Sequence, residues 1–233
     1  MIQNLHVFQK KAVKAHFEEL AGQYDFWKSK NEIYYGEIKR FLRSKIEPAK
    51  RILDVGCGTG SLLASLEPSL GVGVDLSEGM VQIARQKFPQ YRFLVCDCEN
   101  LPFRENFDFV VMVDLMDHLT DHRAAFSALR QVLSDRSRVV LLTANPKWDP
   151  ALRWAEKKGW KMPEGPNRFV STKELMEILR RLGYDVIEKG FRLFVPKRIP
   201  VVSGVLNACA PKIPFLKEFC LIQYLIIEKG SES

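Results

Sequence analysis

Asp114-Leu-Met-Asp117-His118 sets two carboxylates and an imidazole at spacings i, i+3 and i+4. If this segment turns helically, the three groups share a face. A histidine of ordinary pKa, about 6.5, accepts a proton at cell pH, so His118 with Asp114 and Asp117 reads as acid–base machinery. A second stretch works without side chains. In Arg51-Ile-Leu-Asp-Val-Gly-Cys-Gly-Thr-Gly60 a short apolar strand ends at Asp54 and Val55, and glycines follow at alternate positions. Ser61-Leu-Leu-Ala then starts a helix. Bare backbone at Gly56, Gly58 and Gly60 can lie against a flat or extended ligand that side chains would push away.

The elements that must position these groups alternate between strand and helix. Gly71-Val-Gly-Val-Asp75 and Tyr91-Arg-Phe-Leu-Val-Cys-Asp97 each read as a strand ending in an acid, the edge where open parallel sheets bind ligands. Ser77 to Lys87 is expected as a helix capped by its serine, with Pro89 beyond. Phe107 to Val113 is nearly continuous apolar, as a strand covered on both faces must be. Asp121 to Leu133 reads as a helix and Ser137 to Leu142 as a fifth strand. Strands alternating with helices imply a parallel sheet.

Leu53-Asp-Val-Gly-Cys-Gly-Thr-Gly60, Gly73-Val-Asp-Leu-Ser77 with Met80, Asp97-Cys-Glu-Asn-Leu-Pro-Phe103 and Phe107-Asp-Phe-Val-Val111 follow one another in an order that resembles the class I S-adenosylmethionine-dependent methyltransferases. The resemblance covers roughly residues 50 to 145. It implies a doubly wound, seven-stranded, mostly parallel α/β sheet with an antiparallel last strand and an N-terminal helical cap. It implies S-adenosylmethionine as cofactor and S-adenosylhomocysteine as product. By the same resemblance Asp54, Gly56, Cys57, Gly58 and Gly60 hold the methionine end, Asp75 takes the ribose hydroxyls and Asp97 with Cys98 meets the adenine edge, with Leu76, Met80 and Val113 also expected to touch the cofactor. A nicotinamide-dependent oxidoreductase expects G-x-G-x-x-G, whereas the third glycine here comes one residue early. The Asp114, Asp117, His118 trio is similar in place to the acid, acid, His pattern of ubiquinone-biosynthesis O-methyltransferases. There, two glutamates go with a divalent metal and a catechol-like substrate. The shorter aspartates depart from that pattern, and no metal is expected.

With 233 residues, 46% of them hydrophobic, the chain is long enough for one domain spanning 1–233 with a sizeable core. Its expected parts are a helical cap (1–48), a cofactor-binding core (49–145) and a substrate-side region (146–233). No apolar run is long enough to span a bilayer, the start does not read as a signal peptide, and a cytoplasmic protein is expected. The five cysteines form no paired pattern, and Cys96-x-Cys98 has neither the spacing nor the partners of a zinc site. A formal charge of +7 is compatible with RNA. The basic residues are scattered beside acids, however, so nucleic acid stays a minority reading.

Residues 8–46 read as helix broken near Gly22, with Val13, Phe17 and Leu20 on one stripe and Ile33, Ile38, Phe41, Leu42 and Ile46 on another. Tyr24 and Tyr34 are candidates to close over cofactor or substrate, and Asn145 is placed on the substrate side. His122 is expected to be exposed, and His6 and His16 to lie in the cap without partners. The region after Pro146 is expected to be irregular with one short helix. A capping box at Ser171-Thr-Lys-Glu174 opens a further helix that Gly183 stops. Tyr184 to Ile187, extending toward Phe194, and Ile222 to Ile227 are expected as the last strands, and the insertion 195–219 between them is the candidate substrate wall.

Together these features read as a methyltransferase acting on a small, partly apolar acceptor through oxygen, nitrogen or carbon. The alternatives are an RNA (tRNA) methyltransferase and a non-catalytic cofactor-binding scaffold. A homodimer stays open.

Overall fold

The computed structural model of the protein describes residues 2–197 and 202–230. Three N-terminal helices come first: α1 (Ile2–Leu20), α2 (Tyr24–Lys30) and α3 (Glu32–Lys45). The break at Gly22 is a 3-10 turn over Ala21–Gln23. A second break at Asn31 was not expected. Its side-chain amide donates to the carbonyl of Trp27 at 3.2 Å, a local bond that competes with helical geometry.

The remaining chain alternates: β1 (Arg51–Val55), α4 (Ser61–Ser65), β2 (Leu70–Asp75), α5 (Glu78–Lys87), β3 (Arg92–Val95), β4 (Phe107–Val113), α6 (His122–Leu129) and β5 (Leu133–Ala144). After them come α7 (Asp149–Lys157), α8 (Thr172–Arg181), β6 (Tyr184–Arg192), α9 (Val202–Cys209), α10 (Pro214–Lys217) and β7 (Ile222–Lys229). The seven strands form one sheet in the order β3-β2-β1-β4-β5-β7-β6. Strands β1 to β5 pair in parallel, while β7 runs antiparallel between β5 and β6, as expected for a methyltransferase fold.

The apolar runs are explained by burial on both faces. Leu53 and Val55 of β1, with Val110 and Met112 of β4, enter one core. Ile52 and Val111 point the other way, into a second core that α3 covers with Ile38, Phe41 and Leu42. Each such side chain contributes about 1.5–3 kcal/mol on burial, which fixes the register of the central strands.

Local signals hold at the caps. Ser77 accepts the Met80 N–H at the start of α5, and Ser171 accepts the Glu174 N–H at the start of α8. Residues 195–219 form α9, a 3-10 turn and α10, apart from 198–201, which lie outside the described residues. The His6 side chain also lies outside them. Among the described residues no helix is long and apolar enough to cross a membrane.

Candidate active site

Strand β1 has β2 on one side and β4 on the other, so the chain leaves β1 and β4 in opposite directions and opens a crevice beyond their carboxyl ends. The glycine turn follows β1, and Asp114 follows β4. A cavity of about 100 Å³ lies there, lined on the sheet side by Gly56, Gly58, Asp75 and Leu76, with Met80, Asp97, Cys98 and Val113 further along. Asp114, His118 and Tyr24 line it too. Lys10, Val13 and Phe17 of α1 close it from above.

The glycine turn is strained in the way glycine alone tolerates, with φ of 76°, 52° and 76° at Gly56, Gly58 and Gly60. A Cβ at Gly58 would stand 2.9 Å from the Tyr24 ring, so tyrosine and bare backbone are in contact and the corner is partly covered. Gly60 differs from expectation. A Cβ there would meet Phe93 at 2.7 Å, so its bareness serves helix-to-sheet packing. Cys57 is buried in the second core and does not line the cavity.

Asp54 sits behind the turn, 1% exposed, and its Oδ2 has no hydrogen-bond partner among the described residues. Burial pushes its carboxyl up to about 7, against the pull of the Lys28 ammonium. An unpartnered buried carboxylate oxygen is costly and marks a place built for a donor. Asp75 is better satisfied: Oδ2 accepts the Gly58 N–H at 2.8 Å and Oδ1 the Ser77 N–H at 2.9 Å. At the far end the Lys10 ammonium donates to Asp97 and Glu99, and Thr120 donates to Glu99.

Asp114 is held at φ 53°, uncommon for a residue with a side chain and a form of strain that gathers at functional sites. The Tyr34 hydroxyl donates to its Oδ1 at 2.6 Å. Burial pushes the Asp114 carboxyl up to about 6, although that hydrogen bond opposes the shift. Tyr34 therefore stands behind Asp114 and does not line the cavity. Lys28 is set between two rings, its ammonium 4.4 Å from the Tyr24 centroid and 4.9 Å from that of Tyr35. Burial lowers its pKa, opposed by the charges of Asp114 and Asp54.

The expected trio separates. Met116–His118 is a 3-10 turn, not an α-helix, so the three groups do not share one face. Asp117 turns inward: Oδ2 accepts the Thr143 hydroxyl at 2.7 Å and Oδ1 the Val170 N–H at 3.0 Å. One oxygen is spent on β5 and the other on the 166–170 loop, which takes Asp117 out of the acid–base set. His118 keeps its place on the cavity wall, its ring edge-on to Phe17 at 5.0 Å between centroids. Both its nitrogens are engaged, Nδ1 with the Pro166 carbonyl at 3.2 Å and Nε2 with Glu164 at 3.5 Å. Burial alone would lower the His118 pKa, but contact with Glu164 outweighs it and the net shift is upward. The same contact, with Lys161, holds Glu164 down at about 2 despite burial.

Asn145 is away from the cavity as well. Its Nδ2 donates to the carbonyls of Glu218 and Cys220, both at 2.9 Å, and its Oδ1 accepts the Lys147 N–H, tying the end of β5 to the segment before β7. His16 and His122 have partners that the sequence did not suggest, the carbonyls of Pro163 and Met116, and His122 is only part-exposed. Four residues were missed outright: Lys10, Glu99, Thr120 and Glu164. Lys10 was within reach, since it continues the Val13 and Phe17 stripe one turn back; Glu164, in an irregular proline-rich stretch, gave no signal. Among the described residues no group of three or more His, Cys, Asp or Glu side chains converges to hold a metal ion.

Sheet order, glycine turn and strand-tip acids define the class: a Rossmann-like S-adenosylmethionine-dependent methyltransferase. The chain belongs to the methyltransferase domain family, whose sequence model matches residues 26–189. An uncharacterised protein of Methanocaldococcus jannaschii is 27% identical over 81% of this chain and 89% of its own length. An O-methyltransferase of Penicillium expansum is 33% identical over 67% of this chain, which spans only 60% of that protein. In fold, the chain is similar to a S-adenosylmethionine-dependent methyltransferase of Thermotoga maritima, with a TM-score of 0.73 at 20% identity over 94% of this chain and all of the other. The cavity residues fit the cofactor: bare main chain at Gly56 and Gly58, and the unpartnered Asp54 oxygen behind them.

Proposed function

We propose that the protein methylates a small, partly apolar acceptor on an oxygen that carries a removable proton, with Asp114 as the base. The observation that carries this reading is the Asp114 carboxyl on the cavity wall, raised to about 6 and held by the Tyr34 hydroxyl. When bound, S-adenosylmethionine supplies a methyl group already activated by the positive charge on sulfur. The residues expected to hold it are Asp54 with Gly56 and Gly58 at the aminoacyl end, Asp75 and Leu76 at the ribose, and Met80, Asp97, Cys98 and Val113 around the adenine. This chain's remaining tasks are proximity and proton removal. Phe17, Leu115 and Leu119 give the wall beside Asp114 and His118 its apolar character. His118, its nitrogens engaged by the Pro166 carbonyl and Glu164, shapes the wall beside the acceptor rather than taking its proton. Likeness to a fungal O-methyltransferase is in keeping with an oxygen acceptor.

The test has two stages. Calorimetry with S-adenosylhomocysteine should give micromolar binding that Asp75→Ala weakens at least tenfold; unchanged affinity would refute the cofactor placement. Transfer of labelled methyl to a panel of phenols, enols, amines and bulk tRNA should then favour the phenols and enols. Labelling of tRNA alone would move the protein to the RNA reading, and tight cofactor binding without any transfer would favour the scaffold reading.

A further inference from the structure

The insertion between β6 and β7 leaves its largest apolar side chains outside. Phe215 is 74% exposed, Val205 57%, Phe219 45% and Ile213 43%. Four residues of this size bare to solvent within fifteen positions, two of them in ring-to-ring contact, call for an explanation that scattered single ones would not need. The segment is not loose chain. Asn207 accepts the Val195 N–H at 2.7 Å and returns a bond to its carbonyl at 3.1 Å; Ala210 is fully buried, and Cys220 and Leu221 are buried at the exit. The insertion is thus pinned to the sheet while Phe215 and Phe219, 5.6 Å apart between ring centroids, face away from it.

Its charges are one-sided. Residues 195–219 hold Lys197, Arg198, Lys212 and Lys217 against a single acid, Glu218, and that acid is paired with Lys147 at 2.7 Å. Lys147 also lies 5.2 Å from the Phe219 ring centroid, so a cation borders the aromatic patch. Exposed aromatics and aliphatics among lysines are the composition of elements that lie in a membrane interface, with apolar groups at the acyl boundary and cations on anionic headgroups. A two-fold contact between copies would set each patch, with Lys212 and Lys217, which have no carboxylate partner among the described residues, against the same patch and leave the positive charges facing one another.

From this exposed apolar face and its lysine border, we propose that residues 202–219 dock the protein on the surface of an anionic lipid bilayer. The docking is peripheral. Asn145 ties the insertion to the carboxyl end of β5, the sheet edge on which the cavity opens, so a docked protein would hold that edge at the membrane.

Sedimentation of the full chain with vesicles tests this. Vesicles of phosphatidylglycerol and phosphatidylcholine in equal parts should carry the protein down, pure phosphatidylcholine at least tenfold less, and 0.5 M salt should weaken binding several-fold. Phe215→Ser with Phe219→Ser should abolish sedimentation, and Lys212→Glu with Lys217→Glu should cut it at least tenfold. Both variants should keep the parent's melting temperature and S-adenosylhomocysteine affinity, because Lys212, Phe215 and Phe219 are exposed, Lys217 is half-buried, and all four lie outside the cavity. Absence of binding to anionic vesicles, or equal binding by the Phe variant, overturns the proposal. So does a concentration-dependent dimer, seen by analytical ultracentrifugation, that the Phe variant loses.

Discussion

The ammonium of Lys10, on the first helix, stands 2.7 Å from Oδ2 of Asp97 at the tip of the third strand, eighty-seven residues further on. Glu99 shares the same cation. Burial alone would lower the Lys10 pKa, but its bonds to the two acids win and raise it. The cap is thus held down by a charge that sits on acids expected to meet the adenine, and the free space beneath is only about 100 Å³. A cofactor whose adenine meets Asp97 would compete with Lys10 for that carboxylate.

Lys10→Ala should therefore tighten S-adenosylhomocysteine binding by a few-fold, the scale of a part-exposed ion pair. The gain should shrink as salt is added, since salt already weakens the pair it replaces. Calorimetry at two ionic strengths checks both points. Weaker binding in the mutant would make Lys10 a cofactor contact.

Asp54 exchanges stability for binding. Its folded pKa, about 7, lies above its ordinary value of 3.8, so the folded protein holds this proton more tightly than the unfolded chain does. Stability from this group therefore falls as pH rises from about 4 to 7, and at pH 8 the ionised, part-unpartnered carboxylate carries the full cost. Asp54→Asn removes that cost, on the order of 2 kcal/mol after structural relaxation. The melting temperature at pH 8 should rise by roughly 5 °C, with little change at pH 4.5. Cofactor affinity should fall at least tenfold in the same protein. A mutant that is no more stable at pH 8 would contradict the electrostatic account.

Tyr34→Phe removes the hydroxyl that favours ionised Asp114. The Asp114 carboxyl should climb beyond its present value near 6, carrying the acidic limb of kcat/KM upward by about one pH unit, the scale of a hydrogen bond to a charged group. Cofactor affinity should be unaffected. An unmoved limb in the pH profile would take the proton-removing role away from Asp114.

His118→Ala should lower turnover and leave S-adenosylhomocysteine affinity intact if, as proposed, the ring on the cavity wall faces the acceptor. Glu164→Gln tests the pairing separately. His118 has a raised folded pKa, so its stabilisation is present below about 6.5 and is lost as pH rises through the folded value. Loss of Glu164 should consequently cost more stability at pH 5.5 than at pH 9. Equal losses at both, measured by urea denaturation, would mean the ring is neutral throughout.

The amino-acid order by itself determined the sheet, the glycine turn, the caps at Ser77 and Ser171 and the acids at strand tips. Each of these is encoded within a few residues, by apolar period, by glycine's freedom at positive φ, or by a serine three residues before an N–H. Only the tertiary structure decided which side chains meet. Tyr34 reaches Asp114 across eighty residues, and Glu164 reaches His118 from a loop without periodicity. Asp117 and Asn145 were polar residues of the right type in the right region, yet backbone donors and acceptors from distant segments claimed them first. The reason is physical: a buried polar group must find a partner, and which partner is nearest depends on how the helices and loops pack over the sheet edge, not on the residues beside it in the chain.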